Sequence, residues 1–309
     1  MQRKKKNILI TGGTGFIGFH LIKKCLKKNF NVTSISTKRP NKKNSFSKVK
    51  YIVCDIRNKK KLKKKIKGKF NYIVNLGGYV DHSNLKKTFS SHFNGCVNLA
   101  EIFKDRKIER FVQIGSGLEY GSNLSPQKEN AKCLPKSNYG LAKYKSSKYL
   151  LSLNKIYNFP CTIIRLYQAY GPNQKFNRLI PLVIRSCLKK EKFPCSYGTQ
   201  RRDFLYIDDF INLIFKVLYN KKDINGEIIN AGSGKSIKVR SLIELIKKYS
   251  NGGKPEYGKI SMRNDEILNM YPNINKANRL LKWNPKVSIQ KGIKKTIKFY
   301  LNSQKNYEN

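Results

Sequence analysis

Short apolar runs bounded by polar residues recur through the first half of the chain: Asn7–Thr11, Val32–Ser36, Tyr51–Cys54, Tyr72–Leu76, Arg110–Ile114 and Cys161–Leu166. Runs of this length, rich in Ile and Val, read as strands covered on both faces. Between them lie stretches whose apolar residues fall at helical spacing, the first being Phe16–Leu26. Alternation of the two patterns predicts an α/β chain with a doubly wound parallel sheet. After Tyr170-Gly171-Pro172 the rhythm loosens, with shorter strands, helices near Leu179–Lys189, Phe210–Tyr219 and Val239–Tyr249, and no further βαβ series. The expected division is residues 1–170, with a contribution from about 200–231, and a smaller second domain over 171–309. With no low-complexity linker, the two should pack together around a cleft at the carboxyl ends of the strands.

An apolar content of 39% over 309 residues supports a buried core. The formal charge of +47 raises nucleic acid or an anionic membrane surface as a partner. Lysine is scattered beside abundant Asn and Ile, however, as A/T-rich coding would leave it, and no nucleic-acid-binding motif accompanies it, so no specific nucleic-acid partner is expected. The densest run, Lys59–Lys69, has Leu62 and Ile66 four apart and reads as a helix with one apolar stripe. Seven cysteines, an odd number without a CxxC pair, suit neither a disulfide framework nor a zinc site and predict a reducing, cytoplasmic setting. Arg3–Lys6 imitate the start of a signal peptide, but the apolar run after them breaks within a few residues. No segment approaches a membrane span. His20, His82 and His92 lack ligand spacing, and no metal is expected.

Against that background Asn7–Gly18, NILITGGTGFIG, stands out: a strand running into Gly12, Gly15 and Gly18. The first glycine lets the chain turn, the second admits a pyrophosphate, and the third lets the next helix pack close to the sheet. Phosphate oxygens would meet the free amides where that helix opens, at Phe16 and Ile17. This predicts a Rossmann-type dinucleotide site.

A second cluster carries proton chemistry. In Ser137–Lys143 the four-residue gap sets Tyr139 and Lys143 on one helix face. A phenol titrates near pH 10, so proton exchange at neutral pH needs a neighbouring cation. An ammonium at about 4 Å, in an effective dielectric of about 20, supplies roughly 4 kcal/mol, or about three pK units at most. Ser116, at the end of the strand Phe111–Gly115, could donate to a substrate carbonyl oxygen above the same sheet edge.

With these motifs together, and with Tyr170-Gly171-Pro172 and Arg201–Asp209 (RRDFLYIDD), the chain resembles the extended short-chain dehydrogenase/reductases, the NAD-dependent epimerase/dehydratase family, over nearly its whole length. The resemblance implies Tyr139 as general acid/base, Lys143 as the cation that lowers its pKa and holds the nicotinamide ribose, and Ser116 as the group orienting the reacting oxygen. It also implies that Asp55 and Ile56 border the adenine and that Leu76, Gly77, Gly78 and Tyr167 line the cofactor. The substrate implied is a nucleotide-diphosphate sugar, clamped by Arg202 and Arg263, and the assembly implied is a homodimer. Trp283 is expected to be structural. Where NAD-preferring relatives end the second strand with an acidic residue, this chain has Ser36, then Thr37, Lys38 and Arg39, which favours NADP, with NAD still open.

Family dehydratases carry an Asp-Glu pair just after the serine; here those places are Gly117 and Leu118. Glu119-Tyr120-Gly121 instead resembles some 4-keto-6-deoxy-sugar reductases, as does the segment from Glu256 to Asp265-Glu266. NADPH-dependent reduction at C4 is therefore the expected reaction, with NAD-dependent 4-epimerisation as the alternative. A redox-sensing or RNA-binding protein that kept only the fold is a further alternative. Two positions depart from the family, His92 and Gln168, each where Asn is usual, and both bear on the sugar pocket. Gly234-Lys235-Ser236 is read as a βα turn rather than a P-loop, and Asp208 and Asp209 as caps of the helix that follows.

Overall fold

A computed structural model describes residues 5–79, 84–262 and 266–305. In chain order β1 (Asn7–Thr11) leads to α1 (Phe16–Lys27), β2 (Asn31–Ser36), β3 (Val49–Val53), α2 (Lys59–Lys65), β4 (Tyr72–Asn75), α3 (Leu85–Phe103), β5 (Arg110–Ser116), α4 (Asn138–Tyr157) and β6 (Cys161–Leu166). The second half runs β7 (Gln168–Tyr170), α5 (Leu179–Leu188), β8 (Lys192–Cys195), β9 (Arg201–Tyr206), α6 (Ile207–Leu218) and β10 (Glu227–Ala231). It continues as β11 (Ser236–Lys238), α7 (Val239–Ser250), β12 (Lys254–Tyr257), β13 (Asn269–Met270), α8 (Asn275–Leu281) and α9 (Ile289–Lys305).

Among the described residues seven strands form one parallel sheet in the order β10-β6-β5-β4-β1-β2-β3. The six strand patterns of the first half are all in it, shifted by at most two residues at their ends. The seventh strand lies within the stretch 200–231 expected to contribute to this domain: β10 returns from the second half to pair with β6, Glu227 opposite Thr162. The strand order reverses between β1 and β4, and a parallel sheet opens a crevice at the carboxyl ends of its strands at that point. The remaining strands form a small sheet, in which β9 pairs with β7, β11 and β13, and a separate β8–β12 pair.

The sheet is covered on both faces because its strands alternate side chains between them. Ile8 and Ile10 point to one face with Leu21 and Ile22 of α1 and Phe210 and Ile214 of α6; Leu9 points to the other with Leu99 and Phe103 of α3 and Leu150 of α4. Each such buried side chain is worth about 1.5–3 kcal/mol. α2 follows its predicted stripe, Leu62 and Ile66 being buried and its lysines turned outward. β3 is an edge strand, and Lys65 Nζ donates to its Val53 carbonyl oxygen at 2.7 Å. No described helix is long and apolar enough to cross a membrane.

Two local readings change. The N-cap of α6 is Tyr206 without a side-chain cap bond, so Asp208 and Asp209 do not cap. They stand in the first turn, where carboxylates offset the helix dipole, and Asp209 Oδ2 instead accepts from Val287 N at 2.9 Å. Trp283 is buried and donates from Nε1 to Asp209 O at 3.2 Å, which makes it structural. Gly234 lies between β10 and β11, in a ββ rather than a βα turn. That turn wraps the buried Asp203 carboxylate, which accepts from Ser233 N at 2.6 Å and Lys235 N at 3.2 Å. Burial dominates those bonds and raises Asp203 to about 6.

Candidate active site

β1 delivers the glycine loop to the crevice. Gly12 has φ of +71° and donates to Ile35 O at 2.7 Å, so the turn needs glycine and is pinned to β2. A Cβ on Gly18 would lie 2.4 Å from Gly12 O, so the third glycine is what lets α1 start against the loop. α1 opens after Gly15 without a side-chain cap, leaving the amides of its first turn, from Phe16 through Ile17 to Gly18, to an external acceptor. An uncapped helix start behind a glycine turn fits a pyrophosphate.

Around the loop stand the other residues expected at the cofactor. Ser36 ends β2 with its hydroxyl accepting from Thr14 N at 3.4 Å, and Lys38 and Arg39 follow, both exposed. Asp55 is gripped by Arg57, accepting from its Nη2 at 2.6 Å and its backbone N at 2.9 Å, and this holds the carboxyl below its usual range. Ile56 is buried, its Cδ1 filling the space that a Cβ would need on Gly77 or Gly95. A polar ladder that sequence reasoning missed crosses the strand ends here: Thr11 Oγ1 donates to Asn75 Oδ1 at 2.5 Å, and Asn75 Nδ2 to Gln113 Oε1 at 2.7 Å. Gly77 N closes it on Thr11 Oγ1 at 3.0 Å, which fixes the Leu76–Gly78 segment. The signal was present as polar residues ending apolar strands.

Ser116 is the last residue of β5, and its hydroxyl accepts from Leu118 N at 3.2 Å to cap the short 3-10 turn Gly117–Glu119. α4 begins nearby because Ser137 Oγ accepts from Gly140 N at 3.1 Å. Its first turn presses on the Ser116 loop, since a Cβ on Gly140 would stand 2.5 Å from Leu118 O. Tyr139 thereby comes close enough to Ser116 for the serine side chain to favour the ionised phenol.

The electrostatics correct the expectation of a depressed phenol. Burial pushes Tyr139 up to about 12, against which Ser116 and Arg178 act in the opposite sense and Glu119 in the same one. Lys143 does not offset this, because its Nζ donates to Ile114 O at 2.6 Å and lies 5.8 Å from the centroid of the Tyr139 ring. Its own pKa is lowered by burial to about 8, with Glu119 and Cys96 opposing. His92 stands edge-on to Tyr139, ring centroids 4.8 Å apart, with Nε2 at 3.1 Å from Tyr79 O. A Cβ on Gly78, where φ is +152°, would fall 1.8 Å from the His92 ring.

Tyr167 packs its ring on Gly117 and donates to Gln127 Oε1 at 2.6 Å. Gln168 is exposed at the start of β7. Arg202, on β9, donates to Arg201 O at 2.8 Å and pairs with Glu266. Arg263 lies outside the described residues, as does His82. The arrangement brings Ser116, Tyr139 and Lys143 together beside the loop.

A Rossmann-type sheet with a glycine loop at its switch point and a Ser-Tyr-Lys cluster beside it defines a nucleotide-dependent α/β enzyme class. Residues 8–232 match the NAD dependent epimerase/dehydratase family, and the chain belongs to that family. It is 30% identical, over 96% of its length and 99% of the other's, to a protein of Methanocaldococcus jannaschii described as a putative UDP-glucose 4-epimerase. It is 28% identical to the CDP-abequose synthase of Salmonella muenchen, over 94% and 97% of the two chains. Its fold is similar to that of the UDP-glucuronic acid 4-epimerase of Bacillus cereus, solved with UDP-glucuronic acid and NAD, with a TM-score of 0.86, 26% identity, and coverage of 96% and 99%.

Proposed function

We propose that this chain is a NAD(P)-dependent oxidoreductase of nucleotide-linked sugars that reduces a 4-keto-6-deoxy sugar, with Tyr139 as the proton donor. The observation carrying this reading is the packing of the start of α4, with Tyr139 and Lys143, against the end of β5 that carries Ser116, in the same crevice as an uncapped glycine-loop helix. A nicotinamide dinucleotide held by that loop supplies hydride. The chain's own residues do the remainder. Ser116, fixed at the end of β5, orients the substrate oxygen by a hydrogen bond, and Tyr139 gives that oxygen its proton. Lys143, one turn along α4, keeps a cation within reach of the phenol as the proton leaves. Arg202, with Arg263, would grip the diphosphate through its planar guanidinium. In this reading residues 171–309, apart from a contribution of about 200–231 to the first domain, form mainly the sugar-binding part, and the working unit is a homodimer.

Lys38 and Arg39 beyond β2, with Ser36 in place of a repelling carboxylate, favour NADP. Tighter binding of NAD than NADP would refute that preference. Dehydration is disfavoured because Gly117 and Leu118 carry no carboxyl group, and Glu119 faces inward onto Arg165. The likeness to the Methanocaldococcus jannaschii protein described as a putative UDP-glucose 4-epimerase supports a second reading, 4-epimerisation by the same three residues with retained NAD.

The test is a screen of UDP-, GDP-, CDP- and dTDP-linked 4-ketosugars with both reduced cofactors. One reduced cofactor consumed per sugar supports reduction; interconversion of two sugars with none consumed supports epimerisation. Tyr139→Phe is expected to cut turnover by about 10²–10⁴-fold while cofactor binding persists. Undiminished turnover in that variant would sink both readings.

A further inference from the structure

Glu119 is fully buried, and its carboxylate joins three elements. Oε1 accepts from Ser116 N, at the end of β5, at 2.9 Å. Oε2 accepts from Ser147 Oγ, on α4, at 2.8 Å and from Arg165 Nε, on β6, also at 2.8 Å. Ser147 lies two turns beyond Tyr139 on the same helix, so its tie to Glu119 fixes how α4 is rotated about its axis. Arg165 is buried in turn, its guanidinium 4.4 Å from the centroid of the Tyr120 ring, and Tyr120 Oη donates to Asn230 Oδ1 of β10 at 2.8 Å. The backbone makes room for the carboxylate: a Cβ on Gly115 would lie 2.4 Å from Glu119 Oε1.

We propose that Glu119 is a positioning residue for the Ser116–Tyr139 pair, a buried carboxylate balanced by Arg165 that locks the strand carrying one partner to the helix carrying the other. The inference rests on the proposed chemistry, in which those two groups handle the substrate oxygen. A buried ion pair adds little net stability compared with apolar residues of equal volume, because desolvation offsets the attraction. Its geometry is what distinguishes it here, since an apolar pair could fill the space without bonding Ser116 N and Ser147 together.

The charge acts as well. The groups bearing on Tyr139 are Ser116 and Glu119 from the β5 end, Lys143 from α4, His92 from α3 and Arg178 before α5. Glu119 favours the protonated form of both Tyr139 and Lys143. Removing its charge moves both titrations to lower pH.

The experiment compares full-length, cofactor-loaded wild type with Glu119→Gln and with Glu119→Gln/Arg165→Met, which removes both charges together. Turnover is followed on the sugar found by the screen. Independently, the Tyr139 phenol is titrated by ultraviolet difference absorbance, each protein against its own Tyr139→Phe counterpart. Both variants are expected to fold, to lose kcat by roughly 10–100-fold with KM within about threefold, and to shift the phenol titration to lower pH. Turnover within about twofold of wild type together with an unmoved titration would overturn the proposal. Loss of the fold in both variants would overturn it too, since the carboxylate would then be holding the sheet rather than the site. Tyr139→Phe with intact turnover would sink the proposed chemistry, whereas intact turnover and an unmoved titration in the Glu119 variants sink only the positioning role.

Discussion

Lys143 holds its charge in a place that resists it. Burial lowers its pKa from 10.5 to about 8, so between those values the unfolded chain binds a proton that the folded chain has released. Stability therefore rises with pH across that window, since the unfolded state is the one that must give the proton up. Lys143→Met lacks this term, and its stability relative to wild type is expected to fall as pH is raised from 8 to 10.5. Urea midpoints at several pH values check it; a constant difference would show that the ammonium carries no such penalty. At this scale Tyr139, Lys143 and Ser116 were legible because residue type and spacing declare them. Glu119 was legible only as a letter in a motif. Its partners Ser147 and Arg165 are 28 and 46 residues away, and no local pattern links them.

Among the elements, α4 and the Ser116 loop meet in a close fit. Alanine in place of a helical glycine normally stabilises by about 1 kcal/mol. At Gly140 the added Cβ would meet Leu118 O at 2.5 Å, and Leu118 follows Ser116 by two residues. Gly140→Ala is thus expected to separate Tyr139 from Ser116 and lower turnover by about tenfold or more, since small misplacements of catalytic groups are costly. Steady-state kinetics check it, and a variant as active as wild type would show that the helix gives way harmlessly. Strands of the first half were legible as short continuous apolar runs, being covered on both faces, and the helices from their period, each burying one face. That about 200–231 rejoins the first domain was legible from the resemblance, but the partner of β10 was not, as a five-residue apolar run does not disclose which strand it pairs with.

Over the whole molecule, Asp209 sews the C-terminal segment to α6, its carboxylate accepting from Val287 N and its carbonyl from Trp283 Nε1. Asp209→Ala takes the carboxylate acceptor from that part-buried amide and is expected to destabilise the protein by about 1.5–3 kcal/mol, read as a lower urea midpoint. An unchanged midpoint would mean that water replaces the carboxylate without cost. The net charge, by contrast, was legible in amount but not in use. Most of it is solvated lysine, and one such residue, Lys65, sits across the open side of β3. Acetylating that ammonium and its neighbours on α2 would strip the guard from an otherwise adhesive border, baring main-chain amides and carbonyls on which strands of separate molecules can stack, so that the same excess of cations keeps concentrated solutions of this protein from clumping.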